Sequence, residues 1–226
     1  MAHRAAICAR RMARPVEHLR VEGREMARLS TPVPDSDKEN PVTCIVAIET
    51  PDGVWLGCDS QIGAWSNERL SVPKFCEVAP GVVVGVAGAW RMANILRHRW
   101  KPMPPAPGVD LDEWMFDSME DIRRLLNEHG ASKHDNSQQC TANGDSQSIV
   151  VVRGRAYSCG SCFSFFRPST GYTAIGSGEP FALGSLATTR ELEIDAESRV
   201  RLALESAERH NNGVLGPFTV KFVANP

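Results

Sequence analysis

The chain is written in blocks: strand-forming runs, two helix-forming runs, further strands, two more helices and a last strand. Strands and helices segregated in this way fold as α+β, with paired helices packed outside stacked sheets. The first block sets the pattern. Thr43-Cys-Ile-Val-Ala-Ile-Glu-Thr50 is a β-rich run, Pro51-Asp52-Gly53 is a turn, and Val54-Trp-Leu-Gly-Cys58 is a second strand. Pro presets φ for the turn, so the two runs read as a hairpin. Lys74–Val78 and Val82–Ala87 read as another pair, turned by Pro80-Gly81.

Gly88 then opens a helix running to about Arg99, and a Pro-rich linker follows from Pro102 to Gly108. Asp110 caps the next helix, with Glu113 placed for a capping box. Leu111, Met115, Ile122, Leu125 and Leu126 give that helix one apolar face. Residues Ala131–Gly144 are polar and read as a loop. Ser148–Val152, Arg155–Ser158 and Tyr172–Ile175 read as strands, and Gly178–Thr188 as a helix of small residues. Asp195–His210 is a second helix in which Ala196, Val200, Ala203, Leu204 and Ala207 share a face, and Thr219–Val223 is the closing strand.

Residues 1–42 differ from the rest. They carry seven arginines up to Arg28, then Pro32, Pro34, Pro41 and several charges. Such a stretch buries little and is expected to be a flexible or weakly helical extension ahead of a domain at 43–226. A propeptide, a targeting segment, and an upstream start ahead of Met26 all fit it; Glu17, Glu22 and Glu25 weaken the targeting reading.

Composition removes several classes of function. A net charge of −2 supplies no global basic field for nucleic acid. The longest apolar run, Val82–Ala89, is broken by Gly85 and Gly88, so no membrane span is expected. Seven cysteines, odd in number and irregular in spacing, fit a reducing compartment, and the expected location is cytoplasmic. Cys159-Gly-Ser-Cys162 lacks the second pair that a structural zinc site needs, and Cys140 is the only further thiol near it. The six histidines show no HExxH spacing, so neither a metal nor a cofactor is expected.

A threonine becomes a hydrolytic nucleophile when a base takes its proton, and its own freed α-amino group, with a pKa of about 8, is such a base. That arrangement needs a nearby cation, a carboxylate to orient the cation, and backbone N–H groups aimed at the developing oxyanion. From Thr43 onward the residues for this follow one another. They comprise Thr43-Cys-Ile-Val-Ala, Asp52-Gly-Val-Trp-Leu-Gly-Cys-Asp59-Ser60, Val72-Pro-Lys74-Phe, Val84-Gly-Val-Ala-Gly88-Ala and Ala174-Ile-Gly-Ser177-Gly178.

In this order the motifs resemble those of proteasome β subunits and the bacterial proteasome-like peptidase HslV. The resemblance covers nearly all of residues 43–223. The segments Gly-Ser-Gly-Glu-Pro-Phe-Ala-Leu-Gly and Asn212-Gly-Val-Leu-Gly-Pro-Phe218 look most like HslV-like members of phages and bacteria. It implies the four-layer αββα sandwich of the N-terminal-nucleophile hydrolases. It implies Thr43 as nucleophile and, through its freed amine, as base. Lys74 would lower the pKa of that amine, Asp59 would fix Lys74, Gly88 would offer its N–H to the oxyanion, and Ser177 would hydrogen-bond near the amine. The implied substrate is unfolded polypeptide inside a self-assembled ring, with an ATP-driven unfoldase as partner. A small-amide hydrolase and a non-catalytic ring or scaffold subunit are the alternatives.

The chain departs from the family pattern in three places. Val42 stands where self-processing members carry Gly, and a β-branched residue there strains self-cleavage. Asn211 and Val214 replace a supporting Asp and Ser, a pair that HslV also lacks. Lys74 comes one residue early, which a shorter loop in Ser66–Ser71 would absorb.

Overall fold

The computed structural model describes residues 42–63, 68–134, 140–142 and 146–225. The expected extension therefore lies outside the described residues except for Val42, as does most of the Ser66–Ser71 loop's first half. In chain order the elements begin β1 (Ile45–Thr50), β2 (Gly53–Cys58), β3 (Phe75–Ala79), β4 (Val82–Ala87), α1 (Trp90–Arg99) and α2 (Leu111–Glu128). Next come β5 (Ser132–His134), β6 (Cys140–Ala142), β7 (Gln147–Val152), β8 (Arg155–Cys159), β9 (Phe165–Phe166) and β10 (Tyr172–Ile175). The chain closes with α3 (Glu179–Thr188), α4 (Ala196–His210) and β11 (Thr219–Ala224).

Two antiparallel sheets carry the domain, one in the order β10-β1-β2-β11 and the other β3-β4-β7-β8-β9. Strand alternation explains how they stack. Ile45 and Ala47 of β1 point into an apolar layer between the sheets, together with Leu56, Val83, Ile149, Val151 and Ile175. Their neighbours Val46 and Ile48 point the other way, against Leu186, Val200, Ala203 and Leu204 of α3 and α4. On the second sheet Val82, Val84, Val86, Val150 and Val152 face outward onto Met92, Leu96, Met115, Ile122 and Leu126 of α1 and α2. Both faces of each central strand are thus buried, which is why β1, β4 and β7 are nearly continuous apolar runs instead of alternating ones. The result is the expected four-layer αββα sandwich with three apolar layers.

Some local expectations need correction. The polar stretch Ala131–Gly144 contains the paired strands β5 and β6 (Ser132 opposite Ala142, His134 opposite Cys140) where a loop was expected. Cross-strand backbone pairing supplies what the apolar pattern does not advertise. Asp110 does cap α2, but its carboxylate accepts from the Asp112 N–H at 2.9 Å, so the expected box with Glu113 is not the contact made. The short strand β9, paired through Phe165 with Cys159, carried too little pattern to be read.

Candidate active site

The site assembles at the end of β1 where the chain enters the sheet. Thr43 precedes β1, Asp59 follows β2, and Lys74 precedes β3, so a hairpin and a crossover between sheets bring three segments together. All three side chains are buried, with relative exposures of 4%, 1% and 4% for Thr43, Asp59 and Lys74. The Lys74 ammonium lies 2.9 and 3.0 Å from the two carboxylate oxygens of Asp59. It also donates to Thr43 Oγ1 at 3.1 Å and to the Val42 carbonyl at 2.8 Å. Asp59 accepts two backbone N–H groups as well, from Cys44 at 2.9 Å and Gln61 at 3.0 Å. The carboxylate is therefore held from three sides.

Burial sets the electrostatics. It pulls the Lys74 ammonium below the usual lysine range, and attraction to Asp59 opposes that shift only in part. Burial likewise pushes the Asp59 carboxyl up, against the pull of Lys74 and its N–H donors. Thr43 Oγ1 is hydrogen-bonded to this buried ammonium, a setting in which perturbed groups of functional sites are found.

Ser177 belongs to the turn between β10 and α3. Its hydroxyl accepts from the Thr43 N–H and donates to the Thr43 carbonyl, both at 3.4 Å, the long limit for such bonds. The N-cap of α3 is Gly178, with no side-chain cap, so Ser177 is free of capping and faces Thr43. Gly178 donates to the Thr43 carbonyl at 3.1 Å. Gly176, at φ +92°, lies so close to Thr43 that a Cβ there would stand 2.3 Å from the Thr43 carbonyl oxygen. Only glycine fits that turn.

Gly88 follows β4 at φ +112°, two residues past Val86, whose N–H donates to the Lys74 carbonyl at 3.2 Å. It shares the sheet end with Lys74, but among the described residues no hydrogen bond joins it to Thr43, Asp59 or Ser177. The five residues singled out from sequence thus divide: four form one bonded network, and Gly88 flanks it.

Cys58 and Trp90 were not foreseen from sequence, whereas Asn211 and Val214 were singled out there as departures from the family pattern. Cys58 Sγ, fully buried, accepts the Lys74 backbone N–H at 3.4 Å and so holds the lysine's segment against β2. Its thiol is pushed up to about 12 by burial, which makes it an inert packing group. Asn211 donates through Nδ2 to the Ser177 carbonyl and accepts the Gly213 N–H at 2.7 Å. An amide there both donates and accepts, which an ionised carboxylate could not do. Val214 is buried beside Gly178. Trp90 donates through Nε1 to the Ile62 carbonyl at 3.2 Å, tying α1 to the loop after Asp59. In the Cys159–Cys162 turn, Cys159 is buried and Cys162 exposed.

The sequence matches no family model and no curated protein. Solved structures do match. BPH from Thiobacillus denitrificans in complex with epoxomicin aligns at a TM-score of 0.66 and 17% identity, over 81% of this chain and 100% of that one. Eukaryotic HslV from Trypanosoma brucei aligns at 0.59 and 18%, over 80% and 99%. The Anbu complex of Pseudomonas aeruginosa, a helical assembly, aligns at 0.56 and 20%, over 80% and 81%. The fold is that of the proteasome β/HslV-like proteins.

Proposed function

We propose that this chain, built on the proteasome β/HslV-like fold, is a threonine-type peptidase subunit whose nucleophile is Thr43 once residues 1–42 are removed. The observation that carries the reading is the Lys74 ammonium, which touches Thr43 Oγ1 at 3.1 Å while held by Asp59. A buried lysine on a threonine hydroxyl, steadied by a carboxylate, is the polar machinery that an amine-assisted threonine needs.

In this reading Thr43 Oγ1 attacks the substrate carbonyl carbon and its proton passes to the freed Thr43 amine. The N–H of Gly88 takes the developing oxyanion, and Ser177 hydrogen-bonds the amine. The amine then protonates the leaving nitrogen. Water hydrolyses the ester on Thr43, releasing the acid and restoring the hydroxyl. Substrates are unfolded polypeptides, the working form is a self-associated ring in the cytoplasm, and an ATP-driven unfoldase feeds it. No metal or cofactor enters this scheme.

One observation favours a second reading, that of a non-catalytic ring or scaffold subunit. Val42 is seated at the site: its carbonyl accepts from Lys74 at 2.8 Å and from the Thr43 hydroxyl, and a Cβ on Gly213 would stand 2.6 Å from the Val42 side chain. With Val42 attached, the Thr43 nitrogen is an amide and cannot act as base. Intact mass and N-terminal sequencing of the purified protein separate the two. A chain beginning at Thr43 that hydrolyses unfolded casein, binds epoxomicin and loses hydrolysis as Thr43→Ala fits the peptidase. A chain that retains Val42 in every preparation and hydrolyses nothing fits the scaffold.

A further inference from the structure

Two turns at the site belong to different sheets: the Gly176-Ser177 turn abuts Thr43, and the Gly88 turn lies at the sheet end it shares with Lys74. Gly88 follows β4 in the five-stranded sheet, and Gly176-Ser177 follows β10 in the four-stranded one. The apolar layer between the sheets sets their spacing, but apolar contact is non-directional and does not set the angle of a backbone N–H. A directional contact has to do that.

Two adjacent residues at the start of β7 make such contacts, one to each turn. The buried Ser146 accepts the Ala89 N–H on its Oγ at 3.0 Å. Gly88 lies against it so tightly that a Cβ would stand 2.7 Å from Ser146 Oγ and 2.8 Å from its Cα. Gln147, which pairs with Ala87 across the ladder, reaches out of its sheet, and its Oε1 accepts the Gly176 N–H at 3.0 Å. Gly176 is itself pressed onto Thr43.

We infer that Ser146 and Gln147 are a pair of positioning residues that clamp the Gly88 turn at a set separation from the Gly176-Ser177 turn, which abuts Thr43. The clamp gives two backbone N–H groups, those of Ala89 and Gly176, a partner each. It also makes the geometry of the oxyanion side depend on that of the amine side. Misplacement of the order of an ångström between such groups is enough to cost about two orders of magnitude in rate. The inference rests on the peptidase reading for its catalytic meaning, whereas the clamp itself is a property of the fold.

The test uses the chain expressed from the full sequence and processed so that it begins at Thr43, with three variants prepared in the same way. Gln147→Met keeps the length and removes the acceptor, Gln147→Glu restores an acceptor, and Ser146→Ala removes the other contact. Amide hydrogen exchange at Gly176 and Ala89 is read beside kcat and KM on a fluorogenic peptide. In Gln147→Met, Gly176 exchange is expected to quicken and kcat to fall, each by about tenfold for one lost hydrogen bond, with KM within about twofold. Gln147→Glu is expected to recover most of both. Unchanged exchange at Gly176 in Gln147→Met, or faster exchange with kcat intact, overturns the proposal. Should Gln147→Met not fold, Ser146→Ala carries the same two outcomes through Ala89. A wild-type chain with no hydrolysis counts against the peptidase reading alone, and the exchange rates still decide the clamp.

Discussion

Lys74 reaches both carboxylate oxygens of Asp59, at 2.9 and 3.0 Å, while its side chain and that of Asp59 are almost sealed from solvent. A pair this buried has lost most of its hydration, so its two members depend on each other. Lys74→Met, which strands the carboxylate, is expected to destabilise the protein by about 3 kcal/mol in chemical denaturation. Lys74→Met with Asp59→Asn is expected to recover part of that loss, a non-additivity expected of residues in one network. A double variant whose loss equals the sum of the losses of Lys74→Met and Asp59→Asn would count against the pair as a unit.

Gly176 gives a second prediction. At φ +92°, and with its Cα face on the Thr43 carbonyl, it tolerates no side chain. Gly176→Ala is expected to cost about 2–3 kcal/mol from backbone strain and the forced shift of Thr43. Gly81 also has positive φ, at +70°, but nothing lies within 4 Å of an added Cβ. Gly81→Ala is therefore expected to cost about 1 kcal/mol or less, from backbone conformation alone. Thermal unfolding of the two variants side by side separates steric from conformational cost.

At the far end of β1 from Thr43, Glu49 ties the two sheets together. It accepts the Ala156 N–H of β8 at 2.9 Å and two bonds from Arg167 at 3.0 and 2.8 Å. Burial raises its pKa, but the bonds from Arg167 and Ala156 and the charge of Arg155 outweigh burial and leave it below the usual carboxylate range. A carboxylate whose folded pKa is depressed stabilises the fold above its unfolded pKa, and that contribution is lost as pH falls through the folded value. Both arginines are partly exposed, so solvent screening keeps the sum to about 0.5–1 kcal/mol. Glu49→Gln is expected to be less stable than wild type by that amount at pH 7 and equal to it near pH 2, read by urea unfolding at both.

The thiols separate by burial. Cys162 is exposed, and hydrogen bonding with Ser164 holds its thiol below the usual range. Cys44, Cys58 and Cys159 are buried, with thiols pushed up by desolvation, Cys58 and Cys159 to about 12. Brief iodoacetamide treatment of the native chain, mapped by peptide mass, is expected to label Cys162 and leave those three unmodified. Rapid labelling of Cys44, adjacent to Thr43, would show that the site opens more than the packing allows.

Much of this was legible because the relevant signals are local. The hairpin around Pro51-Asp52-Gly53 came through with its strands within two residues, since turn chemistry and β-branched runs sit side by side in sequence. The face of α4 came through because Val200, Ala203, Leu204 and Ala207 repeat at helical spacing and are all buried. The β5–β6 hairpin did not, since cross-strand pairing leaves no apolar periodicity in a polar stretch.

By itself, then, the sequence determined the four helices and all the strands but β5, β6 and β9, and its resemblance to a family picked out Thr43, Asp59, Lys74, Gly88 and Ser177 as the residues to watch. Tertiary structure decided which of them meet. Only the stacking of two sheets brings Lys74 onto Asp59 and Thr43, turns Cys58 Sγ into an acceptor for the Lys74 N–H, and lets Ser146 and Gln147 touch turns on opposite sheets. The reason is physical. Propensity and periodicity act over a few neighbouring residues, whereas hydrogen bonds such as that from the Gly176 N–H to Gln147 join groups that the fold alone makes neighbours.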